Sequence, residues 1–264
     1  MIKRLLFILV GVQSLWAQTE YPEAISDNSF MLEEAYNQEA RVVQHISGLI
    51  YTRPSKDWEY GLTQEWPMFF LPHQEKHQLS YTLPYQWLHS GPSGFGDVAV
   101  NYRYQWMADP AGYSVSPRFT VLLPTGDDNK GLGSGKMGYQ IGLPVSKRFS
   151  AQWAAHVNVG MTMVPGVDVG SKKKIQKAYN IGASAIWLVK SNLNVFVEYV
   201  SVFEDEVDGT SLKNKGTHTI NPGFCFAKEI GSMQVVPGLS VPLQLNGSSK
   251  TKQVFVYLSM EHPF

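Results

Sequence analysis

Asp97-Val-Ala-Val-Asn-Tyr-Arg-Tyr-Gln-Trp106 is the stretch whose reading decides the fold. Asp97, Ala99, Asn101, Arg103 and Gln105 alternate with Val98, Val100, Tyr102, Tyr104 and Trp106. The same two-residue rhythm runs from Gln152 to Met163. There Gln152, Ala154, His156, Asn158 and Thr162 alternate with Trp153, Ala155, Val157, Val159, Met161 and Met163. Successive side chains of a strand point to opposite faces, so each stretch has one apolar and one polar wall. One such strand fits a half-buried soluble sheet. About a dozen, each roughly ten residues long and with aromatics near the ends of the apolar wall, predict an all-β protein: a single antiparallel transmembrane β-barrel. The pattern gives about twelve strands, with ten and fourteen as the neighbouring even counts.

Working outward, strands are expected near Val42–Tyr51, Trp58–Met68, His77–Trp87, Phe95–Trp106, Tyr113–Leu123 and Met137–Lys147. Six more are expected near Gln152–Met163, Ala178–Val189, Leu193–Phe203, Thr217–Ala227, Met233–Leu243 and Gln253–Met260. Connections such as Arg148–Ala151 and Lys190–Asn192 are compact, whereas Thr125–Lys136, Gly166–Lys177 and Asp205–Gly216 read as longer, polar loops. Short periplasmic turns and longer outer loops are the usual asymmetry of outer-membrane barrels. The aromatics fall at two levels. Tyr104, Trp106, Tyr113, Trp153, Trp187 and Phe226 lie at periplasmic ends; Trp58, Tyr60, Tyr85, Trp87, Tyr179 and Phe203 lie at outer ends. Amphipathic rings favour both membrane–water boundaries.

The ends set the organisation. Met1-Ile-Lys-Arg4, an apolar core from Leu5 to Val12 and a cleavage stretch ending at Ala17 read as a secretory signal over residues 1–17. Residues 18–41 read as a periplasmic or plug-like segment, with a short helical turn expected around Phe30–Tyr36 behind an Asn28-Ser29 cap. Residues 42–264 form the barrel. No later stretch approaches the roughly 20 apolar residues of a spanning helix. Cys225 is the one cysteine, which excludes an intramolecular disulfide and a cysteine-cluster metal site. Zero formal charge gives no basic field for nucleic acid. The expected partners are outer-membrane lipids, an unidentified small solute, and the barrel assembly machinery acting on a last strand that ends in Phe264.

Gly94-Phe-Gly-Asp97, then Arg118 through Leu123-Pro-Thr-Gly-Asp127, then Gly133-Ser-Gly135, resembles a family of bacterial proteins named for the meta-pathway of phenol degradation. Glu33-Glu-Ala-Tyr-Asn-Gln-Glu39 and Val42-Val-Gln-His-Ile46 are also similar to segments of its members. The resemblance covers most of the chain after the signal. It implies an outer-membrane barrel of transport function, and it carries over no binding or catalytic residues.

Several motifs have plainer readings. Gly131-Leu-Gly-Ser-Gly-Lys136 has the wrong spacing for a phosphate loop and is followed by a strand. Asp127-Asp-Asn129 lacks the spaced ligands of a Ca²⁺ loop. His156 and Asn158 raise the possibility of an outer-membrane lipid hydrolase, but no Gly-x-Ser-x-Gly elbow is present and both share parity with the lumen-facing residues. No cofactor, metal or catalytic residue is expected.

Arg103, Arg118, Glu65 and Glu198 share the inward parity and, with His156 and Asn158, are the candidate lumen or constriction residues. Arg118 is expected near Asn101, diagonal to Arg103, with Glu65 and Glu198 as the facing carboxylates. Such charges either select solutes or pair to close and brace the interior. The expected function is passive transport of small, hydrophobic or aromatic molecules. A lipid hydrolase and a structural or adhesive barrel with a closed lumen are the alternatives.

Overall fold

The computed structural model describes residues 29–109, 112–246 and 251–264. Twelve principal strands follow one another in chain order. They are β1 (Val42–Arg53), β2 (Asp57–Pro67), β3 (His77–Trp87), β4 (Val98–Tyr104), β5 (Arg118–Leu123) and β6 (Gly138–Arg148), then β7 (Trp153–Val169), β8 (Lys172–Lys190), β9 (Leu193–Asp208), β10 (Ser211–Phe226), β11 (Met233–Ser240) and β12 (Lys252–Pro263). Each pairs antiparallel with its neighbours, and β1 pairs with β12 from Val42↔Pro263 to Arg53↔Lys252. The sheet therefore closes on itself and leaves no edge along that seam. The signal read in residues 1–17 lies outside the described residues, as does Asn28.

Alternation becomes two walls. Along β8, Ile181, Ala183, Ala185 and Trp187 are exposed while Gly182, Ser184, Ile186 and Leu188 are buried. The outward aromatics collect at the strand ends, with Trp106, Tyr113, Trp153 and Trp187 at one rim and Trp58, Trp87 and Tyr179 at the other, all exposed. An apolar outer face between two aromatic girdles is the surface that lipid solvates.

Several sequence expectations are corrected. The predicted strand Phe95–Trp106 breaks into Ser93–Phe95 and β4, because the Asp97 carboxylate turns to bind the loop after β5. Tyr113–Leu123 divides at Ser116-Pro117 into Tyr113–Val115 and β5, since proline has no N–H for the ladder. Met233–Leu243 likewise divides at Val241-Pro242. The loops expected at Gly166–Lys177 and Asp205–Gly216 are mostly strand. β7 and β8 run to 17 and 19 residues and turn through Gly170-Ser171; β9 and β10 run to 16 each and turn through Gly209-Thr210. Gly170 and Gly209 supply the left-handed φ, +60° at both, that a two-residue hairpin turn needs. Charge in these stretches suggested loops, but in the second of them the charges pair across the ladder. Lys215 Nζ lies 2.7 Å from Glu206, and Lys213 pairs with Asp208.

No helical turn forms at Phe30–Tyr36. Residues 29–41 run as an irregular segment whose backbone groups are met by the barrel's inward side chains instead.

Candidate functional site

The inward faces divide the lumen into two chemically distinct halves. On β3 to β6 the buried inward residues are mostly polar, including Gln78, Asn101, Arg103, Thr120 and Ser146, and β7 mixes His156 and Asn158 with Ala154 and Val164. On β8 to β12 they include Ile186, Phe196, Cys225, Val236, Phe255 and Tyr257. Residues 29–41 enter between β1's start and the lumen and touch both halves.

At the polar half, the wall substitutes for secondary structure. A chain buried without helix or sheet partners must find acceptors and donors elsewhere. Gln78 Oε1 accepts from the Gln38 N–H at 2.7 Å, and Gln105 Oε1 from Asn37 at 2.8 Å. Ser146 Oγ accepts from Ala35 at 2.7 Å, while Gln105 Nε2 and Ser116 Oγ donate to the Ala35 carbonyl at 2.7 and 3.0 Å. Asn158 grips Glu33 in both directions, accepting from its N–H at 2.7 Å and donating to its carbonyl at 2.8 Å.

The arginines bind this segment too. Arg103 donates to Asn37 Oδ1 at 3.1 Å and to the carbonyls of Glu34 and Tyr36 at 3.2 and 2.7 Å. It also lies 3.4 Å from Glu65, whose other partner is Gln78 Nε2 at 2.6 Å. Arg118 pairs with Glu33 and donates to Gln140. Arg103 and Arg118 stand directly opposite each other in the ladder, not on the expected diagonal, because the register pairs Asn101 with Thr120. Two guanidiniums across one rung are tolerable because each has its own carboxylate.

Glu198 meets neither arginine. Its fully buried carboxylate accepts N–H groups from Phe30 and Met31, both at 3.0 Å, and from Leu32 at 3.3 Å. Asn221 Nδ2, on the neighbouring strand, donates to it at 2.6 Å. Its place on β9, between Ser184 and Asn221 in the ladder, keeps it away from both arginines, which the inward parity alone did not distinguish.

Side chains anchor the tip. The Phe30 ring stacks on Tyr257, centroids 4.4 Å apart, and meets Phe196 and Phe255 edge-on at 4.6 and 5.5 Å. The wall is thinned to admit it: a Cβ on Gly238 would collide with the ring, and one on Gly182 would come within 2.5 Å of Leu32 Cδ2. Beside the Arg118–Glu33 pair a cavity of about 30 Å³ remains, room for about a single water.

His156 is fully buried and shares a 2.6 Å hydrogen bond with Ser146. This serine–histidine contact lies on the inward face, under the segment and away from lipid. A second pair, Ser201 and His218 at 2.8 Å, faces outward, but the third member of its cluster is the Tyr199 hydroxyl, 3.2 Å from the same His218 nitrogen, not a carboxylate. Among the described residues no group of three or more His, Cys, Asp or Glu side chains is arranged to hold a metal.

Three parts of the family resemblance, around Asp97, Gly126 and Ser134, meet in one place. Asp97 accepts from the Gly126 N–H at 3.0 Å and from the Ser134 N–H and hydroxyl at 2.7 and 2.8 Å. Thr125 Oγ1 donates to the Gly96 carbonyl at 3.1 Å, and Leu132 is buried beneath the turn. The motif is a staple that fixes the loop after β5. In that loop Lys130 bonds to Asp127 and holds its carboxyl below the usual range.

No protein-family model and no curated protein matches the chain. Solved structures do match. The COG4313 outer membrane channel from Pseudomonas putida F1 superposes with a TM-score of 0.68 at 12% identity, over 89% of this chain and 100% of that one. The NanC porin gives 0.58 at 8% identity, over 83% and 100%. The KdgM porin gives 0.50 at 12% identity, over 84% and 99%. The fold is that of outer-membrane β-barrels.

Sequence reasoning singled out Arg103, Glu65, Arg118, Glu198, His156 and Asn158; the structure brings all six to the wall around one segment. It missed the segment's own contributions, Phe30 and Glu33, and the aromatic seat of Phe196, Phe255 and Tyr257. Glu33 stood in the stretch that resembles the family, and Phe255 and Tyr257 carry the parity opposite to Val254 and Val256, so both signals were present.

Proposed function

We propose that the chain is exported by residues 1–17 to the outer membrane, where it admits small apolar or aromatic molecules passively, with residues 29–41 as the internal barrier. One observation carries this reading: the inner wall is built to hold a separable segment. A barrel that needed only to be closed could fill its interior with its own side chains, as small barrels do. Here Gln78, Gln105, Ser146, Asn158, Arg103 and Glu198 spend their hydrogen bonds on the main chain of residues 30–38. The apolar seat around Phe30 supports an apolar or aromatic solute, and the staple at Asp97 supports membership of the phenol-pathway family.

The test is flux into liposomes carrying the full chain or a variant lacking residues 29–38. Faster entry of a small neutral aromatic such as benzyl alcohol into the variant's liposomes, above protein-free vesicles, supports the reading. Equal rates for both proteins and for empty vesicles would overturn it.

A further inference from the structure

Phe30 presents to the wall the skeleton of a smaller molecule. Its nitrogen, Cα, Cβ and ring are the atoms of a 2-arylethylamine. The nitrogen donates to Glu198 at 3.0 Å while the ring fills the box of Phe196, Phe255 and Tyr257. Glu198 gathers three N–H donors from consecutive residues, the number that one primary ammonium carries. A further acceptor is already in place: Asn221 Oδ1, on a fully buried side chain whose Nδ2 binds Glu198, has no hydrogen-bond partner among the described residues.

We propose that this seat binds protonated arylalkylamines, which replace Phe30 when the segment withdraws. The assignment rests on the passive-entry reading and names its solute class. Charge decides the class. Withdrawal of residues 30–32 takes three N–H donors from the Glu198 carboxylate and leaves Asn221 as its bonded partner, so the vacated seat carries a negative charge without a counterion, which is costly inside a narrow lumen. A neutral aromatic fills the box and leaves that cost standing. An anionic aromatic adds to it. An ammonium removes it through charge-assisted hydrogen bonds, and its ring and alkyl carbons gain the apolar surface that Phe30 gave up. Nearby rings also favour a cation placed over their faces.

The segment competes for the same seat, so the wild type binds more weakly than a variant in which the ring is gone, by the fraction of molecules with the seat open. The experiment uses the full-length protein in detergent, with folding checked by heat-modifiable electrophoretic mobility. Binding of 2-phenylethylammonium, 2-phenylethanol and phenylacetate to Phe30→Ala is measured by titration calorimetry. The amine is expected to bind at least tenfold more tightly than the alcohol, and phenylacetate more weakly than either. Adding Glu198→Gln is expected to erase the amine's advantage over the alcohol. An alcohol that binds as tightly as the amine, or an amine preference that survives Glu198→Gln, would overturn the assignment. If the double variant does not fold, the amine–alcohol ratio in Phe30→Ala decides alone. Failure of the passive-entry reading is seen separately, as absent benzyl alcohol flux in the same Phe30→Ala protein.

Discussion

Replacing Gly238 by alanine should loosen the internal segment without changing the barrel. The added methyl falls on the far end of the Phe30 ring, whereas Gly61, also inward, has nothing within 4 Å of its Cβ position and supplies the control. Overpacking of this kind costs about 1–3 kcal/mol. The methyl meets the ring more closely than it meets Cys225 Cβ or the Phe224 carbonyl, both 3.0 Å away, so most of the cost falls on the seated state. At about 1.4 kcal/mol per factor of ten, the released population should rise by a factor of roughly 5 to 140. Phe30→Ala removes the whole contact of a partly buried ring, worth at most about 3–5 kcal/mol, and should open the barrel further. Benzyl alcohol flux in proteoliposomes, or single-channel conductance in planar bilayers, reads the effect. The expected order is Phe30→Ala above Gly238→Ala, with Gly61→Ala equal to the wild type. Because the closest clash is with the ring, Gly238→Ala should add little on top of Phe30→Ala. Additive effects, or equal flux through the Gly238 and Gly61 variants, would refute the claim that the ring's seat holds the barrier.

Three further outcomes follow from the same geometry. Val159→Arg places a charge on an outward residue 42% exposed to the surroundings and should disfavour insertion by about 2–4 kcal/mol; Asn158→Ala on the inward face should insert normally yet raise flux by releasing Glu33, and equal insertion defects would undo the assignment of faces. Lys172, Lys173 and Lys174 beside the Gly170-Ser171 turn should react with an impermeant amine label on intact cells, whereas a cysteine at Ser191 should resist an impermeant thiol label until the outer membrane is opened; the reverse pattern would invert the orientation. Asp97→Ala removes all three bonds from the loop after β5, so limited proteolysis should cut within residues 124–137 of the variant and spare the wild type.

The fold was legible because lipid enforces it. A residue on the outer face pays for polarity with no water to help, so Val98, Val100, Tyr102, Val157 and Val159 keep strict parity, and the strand positions follow. Beyond the membrane that pressure ends. Lys172–Lys174 and Asp205–Asp208 are then free to be charged in a ladder, and composition there no longer separates a strand from a loop. Proline and the Asp97 staple broke three strands for local reasons that alternation does not register.

The lumen was legible by half, and the reason is the segment itself. Inward parity names Arg103, Arg118, Glu65, Glu198, His156 and Asn158, because the polar wall must face away from lipid. It does not say what those groups bind. Read as a wall alone, Arg103 and Arg118 need carboxylates from other strands, and Glu65 and Glu198 are the natural choice. The structure gives Arg118 a carboxylate from the segment, Glu33, and gives Glu198 backbone N–H groups from the segment in place of an arginine. Arg103, Arg118 and Glu198 are thus satisfied partly by a chain that the alternation pattern cannot see, since residues 29–41 belong to no strand. This coupling has a consequence for stability. Withdrawing the segment does not simply empty the lumen; it leaves Glu198 with Asn221 and Arg118 with Gln140 as their remaining bonded partners. The closed state is held by electrostatics that no partial withdrawal preserves, so release of Glu33 and of residues 30–32 should be concerted. A solute able to take over one of those charges lowers the barrier for the whole segment.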